Sequence, residues 1–469
     1  MISTFGSFIA GVFRRTCPDP FVIAIVLTLL TAGLCLIFTD AKPMDVISAF
    51  AGGKDSGMWS LLLFSMQMCL VLVTGHALAS SPPVAWMVQW LAQRPGTPAQ
   101  AAALVALVAA ACAVINWGLG LIVGALMARE VGRAMAGKGI RVHYPLLAAA
   151  GYVGLMVWHG GLSGSAPLKV TAMNDLQSIL GEQLAGQVQT MPLQTTIGSM
   201  MNIIITGGLV LLAPALFALL HPKDDAEIET FTDFRVPTHI VFAADSGDEQ
   251  ERRAHLDDAP TTAPEWLERT PWLAFVFAAF LAAALVTSVR RLGNVGLIDL
   301  NHINLTMLIL GLIMHGSVAR YVRAVDEAVR GCGGIILQFP LYAGIMGMMS
   351  GTHLTERIAT AIAHTTNAET LPLLTFISAA VVNLFVPSGG GQWAVQGPIV
   401  MQAAIDTGVS PAKMVMALAY GDQLTNMLQP FWALPLLAIT GVRARDIVGY
   451  TAVVMIAAAL WIGLWLVVF

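Results

Sequence analysis

Four times an apolar run in this chain is broken by glycine, proline and hydrogen-bonding side chains: NWGLG at 116–120, GGLSGSAP at 160–167, NLFVPSGGGQ at 383–392 and DQLTNMLQP at 422–430. In hydrocarbon every backbone N–H and C=O must be paired within the protein. An irregular segment therefore survives at membrane depth only where protein buries it or where it lines a wet cavity. Composition places these runs in a membrane. Charged residues make up 11% of the 469 and hydrophobic ones 57%, with a mean hydropathy of +0.74, whereas an ordinary soluble domain is roughly 25% charged. Apolar runs near the roughly 20 residues that cross a bilayer lie at 19–38, 57–80, 98–115, 144–158, 195–220, 271–289, 302–319, 334–350, 371–386, 411–421 and 447–469. The expected fold is an all-α polytopic membrane protein.

The chain repeats itself. An apolar run, an amphipathic stretch (PPVAWMVQWLAQR), a polar turn, a second apolar run and AVINWGLGLIVGALMARE at 113–130 are followed, after residue 270, by the same order. There the amphipathic stretch is THLTERIATAIAHTT and the last element is AVVNLFVPSGGGQWAVQGPIV at 380–400. Downstream of each comes a second break, WHGGLSGSAPL at 158–168 and YGDQLTNMLQPFWALP at 420–435. If the Asn116 and Asn383 segments are hairpins that enter and leave on one side, the crossings between matched elements are odd in number and the two repeats are inverted. Paired interruptions in inverted repeats are the pattern of a secondary transporter whose site lies near the bilayer midplane.

The expected organisation is an N-terminal membrane repeat at 1–220 (hairpin about 98–130, broken helix about 144–169), an acidic linker at 221–270 and a C-terminal repeat at 271–469 (hairpin about 371–402, broken helix about 411–436). The linker holds 13 acidic residues against 5 basic ones and is too polar to bury a core. With the N-terminus in the cytoplasm, 17 of the 24 Lys and Arg residues fall on the cytoplasmic side, as the positive-inside rule requires. Arg290 and Arg291 fall on the opposite side. The linker is then cytoplasmic and the C-terminus periplasmic. The first residues, MISTFGSFIAGVFRRTCPDP, carry Arg14 and Arg15 after the apolar stretch rather than before it, so they read as a short amphipathic helix and not as a signal peptide. The five cysteines are scattered at neither metal-ligand nor redox spacing.

A broken helix offers free N–H groups at one half-helix end and free carbonyls at the other, suited to anions and cations respectively. Gly389, Gly390 and Gly391 would let backbone approach a small solute closely and would permit positive φ, and Ser388 and Gln392 add donors. Asn116, Gly118, Gly120, Ser163, Ser165, Asn383 and Trp393 complete the candidate substrate-binding set. Asp422 is the one acidic residue in the paired break regions, and an ionisable group at membrane depth is a functional candidate because burying it is costly. With Thr425, Asn426 and His159 it forms the candidate coupling-ion set, for H+ or Na+. Two blander readings stand beside it: Asp422 as a cap for the half-helix that follows, and His159 as a ring satisfied by a backbone carbonyl. No Lys or Arg occurs at 142–168, 358–412 or 414–442, so the bidentate clamp expected for a dicarboxylate is missing. A single carboxylate suits the breaks better, with Trp117, Trp158, Trp393 and Trp432 available to wall a short apolar tail.

CLVLVTGHALASSPPV, VINWGLGLIVGALMARE, GGLSGSAPL, QFPLYAGIMGMM, VPSGGGQWAVQGPIV and LAYGDQLTNMLQPFWALP, in this order, resemble the bacterial short-chain fatty acid transporter family (AtoE type) of the ion transporter superfamily. The resemblance runs from about residue 10 to 469 and weakens only in the linker. It implies uptake of short monocarboxylates such as acetoacetate or butyrate across the bacterial inner membrane. It also implies an inverted-repeat fold with two re-entrant hairpins, tips at 116–120 and 383–392, and two unwound stretches at 160–165 and 422–429, in a transport domain set against a homodimeric scaffold. Sodium-coupled members of the superfamily carry Ser-Asn-Thr triplets at such places; here they read Ile-Asn-Trp, Val-Asn-Leu and Leu-Thr-Asn, which leaves the coupling ion open.

No cofactor, metal or nucleic acid is expected; the partners are the substrate, the bilayer and a second copy of the chain. An enzyme would need a catalytic constellation, and His76 with Ser80, or His353 with Glu356, lacks the further groups. A channel, and a carrier of C4-dicarboxylate, lactate or gluconate, remain as alternatives.

Overall fold

A computed structural model describes residues 8–9, 11–12, 15, 18–53, 56–234, 262–292, 300–329, 332–357 and 367–469. The amphipathic helix expected at the start, the middle of the acidic linker (235–261) and the stretch 358–366 of the second amphipathic segment lie largely or wholly outside them. Among the described residues all regular structure is helical, and eight helices are long and apolar enough to cross a bilayer.

Those eight differ sharply in burial, and the difference locates the centre of the molecule. The span Pro271–Arg291 is 11% buried and Phe21–Phe38 is 17% buried, whereas Tyr144–Lys169 is 89% buried. Outer helices turn apolar side chains such as Leu29, Ile37, Val276 and Phe280 outward, which costs little only if hydrocarbon surrounds them. The interrupted segment sits inside protein, one of the two settings in which its irregular backbone is tolerated.

Two helical hairpins flank that centre. In the first, Pro98–Ile115 and Trp117–Gly137 are joined by Asn116 alone. Asn116 is extended (φ −155°, ψ 131°), and its Oδ1 accepts from the N–H groups of Gly118 and Leu119, which starts the second helix at once. The arms run antiparallel: a Cβ placed on Gly120 would lie 2.4 Å from the Ala113 Cβ, and one on Gly124 would lie 2.9 Å from the Ala109 Cβ. In the second hairpin, Leu371–Asn383 and Gly389–Thr407 are linked through residues 384–388, and Gln392 and Gln396 from the second arm bond to the Ala379 carbonyl and the Ser378 hydroxyl of the first.

Each hairpin packs on a helix that changes character midway. Tyr144–Tyr152 passes into 3₁₀ turns at Val153–Met156 and Trp158–Gly160 before a short helix, Ser165–Lys169. Pro411–Thr425 passes through a 3₁₀ turn at Asn426–Leu428 and an extended Gln429 before Pro430–Thr440. Pro430 opens its half-helix at the first position. Pro167 lies inside the first turn of Ser165–Lys169, where it begins a helix; its missing N–H falls where no intrahelical partner exists. The apolar run expected at 302–319 also divides: the helix ends at His315, Gly316 turns at φ 70°, and Val318–Val329 begins a new element.

Candidate functional site

The four interruptions meet, and hydrogen bonds join them across the two halves of the chain. The Leu162 N–H donates to the Val114 carbonyl at 2.7 Å and the Trp117 N–H donates to Ser163 Oγ at 3.0 Å, pinning the first break against the first hairpin tip. In the second half the Asn383 amide donates to the Asp422 carbonyl at 2.6 Å, to Thr425 Oγ1 at 3.0 Å and to Asn426 Oδ1 at 3.0 Å, while Gln429 donates back to the Asn383 carbonyl. Between halves, Gln423 Oε1 accepts from the N–H groups of His159 and Gly160 at 3.0 and 3.2 Å, and the Tyr152 hydroxyl donates to the carbonyls of Asn426 and Gln429. Asn202, from Met200–Leu219, donates to the Gly160 carbonyl and accepts from the Tyr420 hydroxyl. Freed backbone groups of each break are thus taken up by side chains of the other.

His159 and Asp422 form a fully buried acid–histidine contact, at 0% and 1% exposure, with Nδ1 and Oδ2 2.6 Å apart. His159 Nε2 accepts from the Ala166 N–H at 3.0 Å. A backbone N–H can only donate, so Nε2 holds a lone pair and the ring proton sits on Nδ1, donated to Asp422. Both blander readings fail here. Asp422 lies within Pro411–Thr425 and caps no following half-helix, and His159 bonds to a carboxylate and an N–H, not to a carbonyl. The Asp422 Oδ1 atom is buried with no hydrogen-bond partner.

The glycine tip sits over this pair. A Cβ on Gly389 would come within 2.8 Å of both the His159 Cε1 and the Trp158 ring, so only glycine permits the approach, whereas one on Gly390 would lie 4.0 Å from Ser165, an ordinary contact. None of Gly389, Gly390 and Gly391 has positive φ. They form the first turn of a helix capped by Ser388, whose Oγ accepts from the Gly391 N–H, so closeness rather than backbone handedness is what they supply. Trp117 lies edge-on to Trp432 (5.1 Å between centroids) and to Trp158 (6.4 Å), and Trp158 stacks on His159 at 4.3 Å.

The expected residues divide accordingly. Ser163, Ser165, Asn383, Ser388, Gly389, Gly390, Gly391, Thr425, Asn426, His159 and Asp422 converge on the breaks. Asn116 is spent as a helix cap, Gly118 on that cap and Gly120 on packing against Ala113. Gln392 and Trp393, both 0% exposed, hold the second hairpin together and fill its core. Sequence reading missed Tyr152, Asn202, Tyr420 and Gln423. A polar Asn202 within MMNIIITGG, and a glutamine beside Asp422, were the signals available. No group of three or more His, Cys, Asp or Glu able to hold a metal occurs among the described residues.

Eight spans long and apolar enough to cross a bilayer, the most buried of them interrupted, define a multi-pass membrane protein. The whole chain, residues 1–469, matches the family model for short chain fatty acid transporters, and the chain belongs to that family. Two bacterial proteins provisionally named short-chain fatty acid transporters are similar to it. That of Escherichia coli (strain K12) is 39% identical, with 99% of this chain and 100% of the relative covered. That of Haemophilus influenzae Rd is 36% identical, with 99% and 100% covered. Among solved structures, the Alcanivorax borkumensis YdaH transporter covers 96% of this chain and 97% of its own at 17% identity and a TM-score of 0.43, too distant to bear on the fold.

Proposed function

We propose that this chain is a secondary active transporter that takes up short monocarboxylates, acetoacetate and butyrate among them, across the bacterial inner membrane, with two inverted repeats of the ion transporter superfamily type and re-entrant hairpins meeting near the midplane. One observation carries the reading: all four breaks meet in one buried place and are bonded across the halves. A channel has no need of that closure. The carboxylate would rest between the N–H groups of Gly389 and Gly390, at the positive end of a 19-residue helix, and Ser165, which faces Gly390. Trp117, Trp158 and Trp432 would wall the tail. The nearest cation in sequence, Lys169, is half exposed and paired with Asp175 at 2.9 Å, which favours one carboxylate over two.

The test is the initial rate of uptake of labelled acetoacetate and butyrate into proteoliposomes, above protein-free vesicles. Saturable uptake blocked by unlabelled acetoacetate and not by succinate is the expected result. Strong block by succinate at low concentration would point to a dicarboxylate carrier, and no saturable uptake would remove the substrate assignment.

A further inference from the structure

Resting on that transport reading, we propose that the coupling ion is H+ and that it is carried on the Oδ1 atom of Asp422, with His159 as the positioning partner that keeps Oδ1 open. The geometry assigns the atoms. The Ala166 N–H occupies the His159 Nε2 lone pair, so a second ring proton there would face another donor, and the ring stays singly protonated on Nδ1. That Nδ1–H serves Asp422 Oδ2 alone. Oδ1, buried and without a partner among the described residues, is the one open position of the pair. A carboxylate at 1% exposure holding a single hydrogen bond is a costly place for a full charge, and a proton on Oδ1 removes it.

Charge balance then links proton to substrate. Empty and unprotonated, the pair carries one negative charge. With Oδ1 protonated and a monocarboxylate bound, the site carries one again: the proton enters from one side on Oδ1, the anion joins it, and both leave on the other, so no net charge crosses. A carboxylate bound beside an ionised Asp422 would place two negative charges in one dry site, which the low dielectric disfavours strongly. The Gly389 tip, packed against His159 and Trp158, brings the anion to the pair.

The other titratable groups near the pair are committed elsewhere or distant. Tyr420 and Tyr152 donate to Asn202 and to the Asn426 and Gln429 carbonyls. Lys169 is held by Asp175, and Asp406, at the far end of the second hairpin, accepts from Gln402. Lys413 begins the Asp422 helix, Cys112 lies in the first hairpin, and Arg445, Asp446 and Tyr450 sit at the start of the final helix, with Asp446 bonded to Arg443.

The experiment compares wild type with Asp422→Asn in proteoliposomes. Uncharged acid crossing the lipid reaches the same final level as one-to-one proton symport, so the readout is initial rate above protein-free vesicles, for uptake driven by a pH gradient and for exchange of labelled against unlabelled acetoacetate. In Asp422→Asn the ratio of gradient-driven uptake to exchange should fall at least about tenfold. An unchanged ratio would overturn the proposal. Wild-type protein supplies an independent check: a Na+ gradient at equal pH should drive no uptake, and acetoacetate addition should move H+ inward faster than in protein-free vesicles. Sodium-driven uptake would overturn the proton assignment while leaving the transporter reading intact, whereas absence of wild-type exchange would defeat both.

Discussion

Asp422 and Gln423 are neighbours on one helix, yet they serve different parts of the first break: the carboxylate takes the His159 ring and the amide oxygen takes the His159 and Gly160 N–H groups. At this scale the site is a set of exact commitments, and the glycines mark where none has been made. Gly389 and Gly390 differ by one position but face different constraints, since a side chain at the first would strike His159 and Trp158 while one at the second meets only Ser165 at contact distance. Gly390→Val should therefore fold and lose uptake, with monodisperse protein on size exclusion and rates at the level of empty vesicles. Normal uptake by this variant would show that the tip does not approach the substrate.

At the scale of elements, the first hairpin and the first broken helix touch through backbone. A Cβ on Gly124 would lie 2.1 Å from the Gly151 carbonyl oxygen, and one on Gly151 would lie 2.4 Å from the Gly124 carbonyl oxygen. Small residues permit such approach between membrane helices, where dispersion and close packing do the work that water exclusion does in soluble proteins. Gly124→Leu must push the two apart, and overpacking of this kind costs about 1–3 kcal/mol or more. Thermal unfolding in detergent should show a lowered midpoint, and uptake should fall with it because Tyr152 and His159 lie on the displaced segment.

The whole molecule divides into outer helices with apolar surfaces and an inner group of hairpins and broken helices. Under the proposed inversion, the positive-inside charge bias would put the N-terminus and the 221–270 connection in the cytoplasm and the C-terminus in the periplasm. A single cysteine introduced at Lys223 should resist an impermeant maleimide added to intact cells, and one at Phe469 should react once the outer membrane is permeabilised. Labelling of both, or of neither, would mean an even number of crossings between residues 223 and 469 and would overturn the proposed topology.

Charge depletion and apolar runs were enough to read an all-helical membrane protein and to place elements such as Pro98–Ile115 to the residue, because hydrocarbon leaves the backbone few ways to satisfy itself. The four breaks were legible for the same reason, as local departures from that rule. What the breaks do to one another was not. That His159 faces Asp422, that Gln423 reaches across the halves, and that Gln392 and Trp393 turn inward to hold their own hairpin depend on contacts between residues up to 264 positions apart. No local pattern encodes which of several buried polar groups will be paired; that is decided when the halves pack and each freed N–H or carbonyl must find a partner in a place without water.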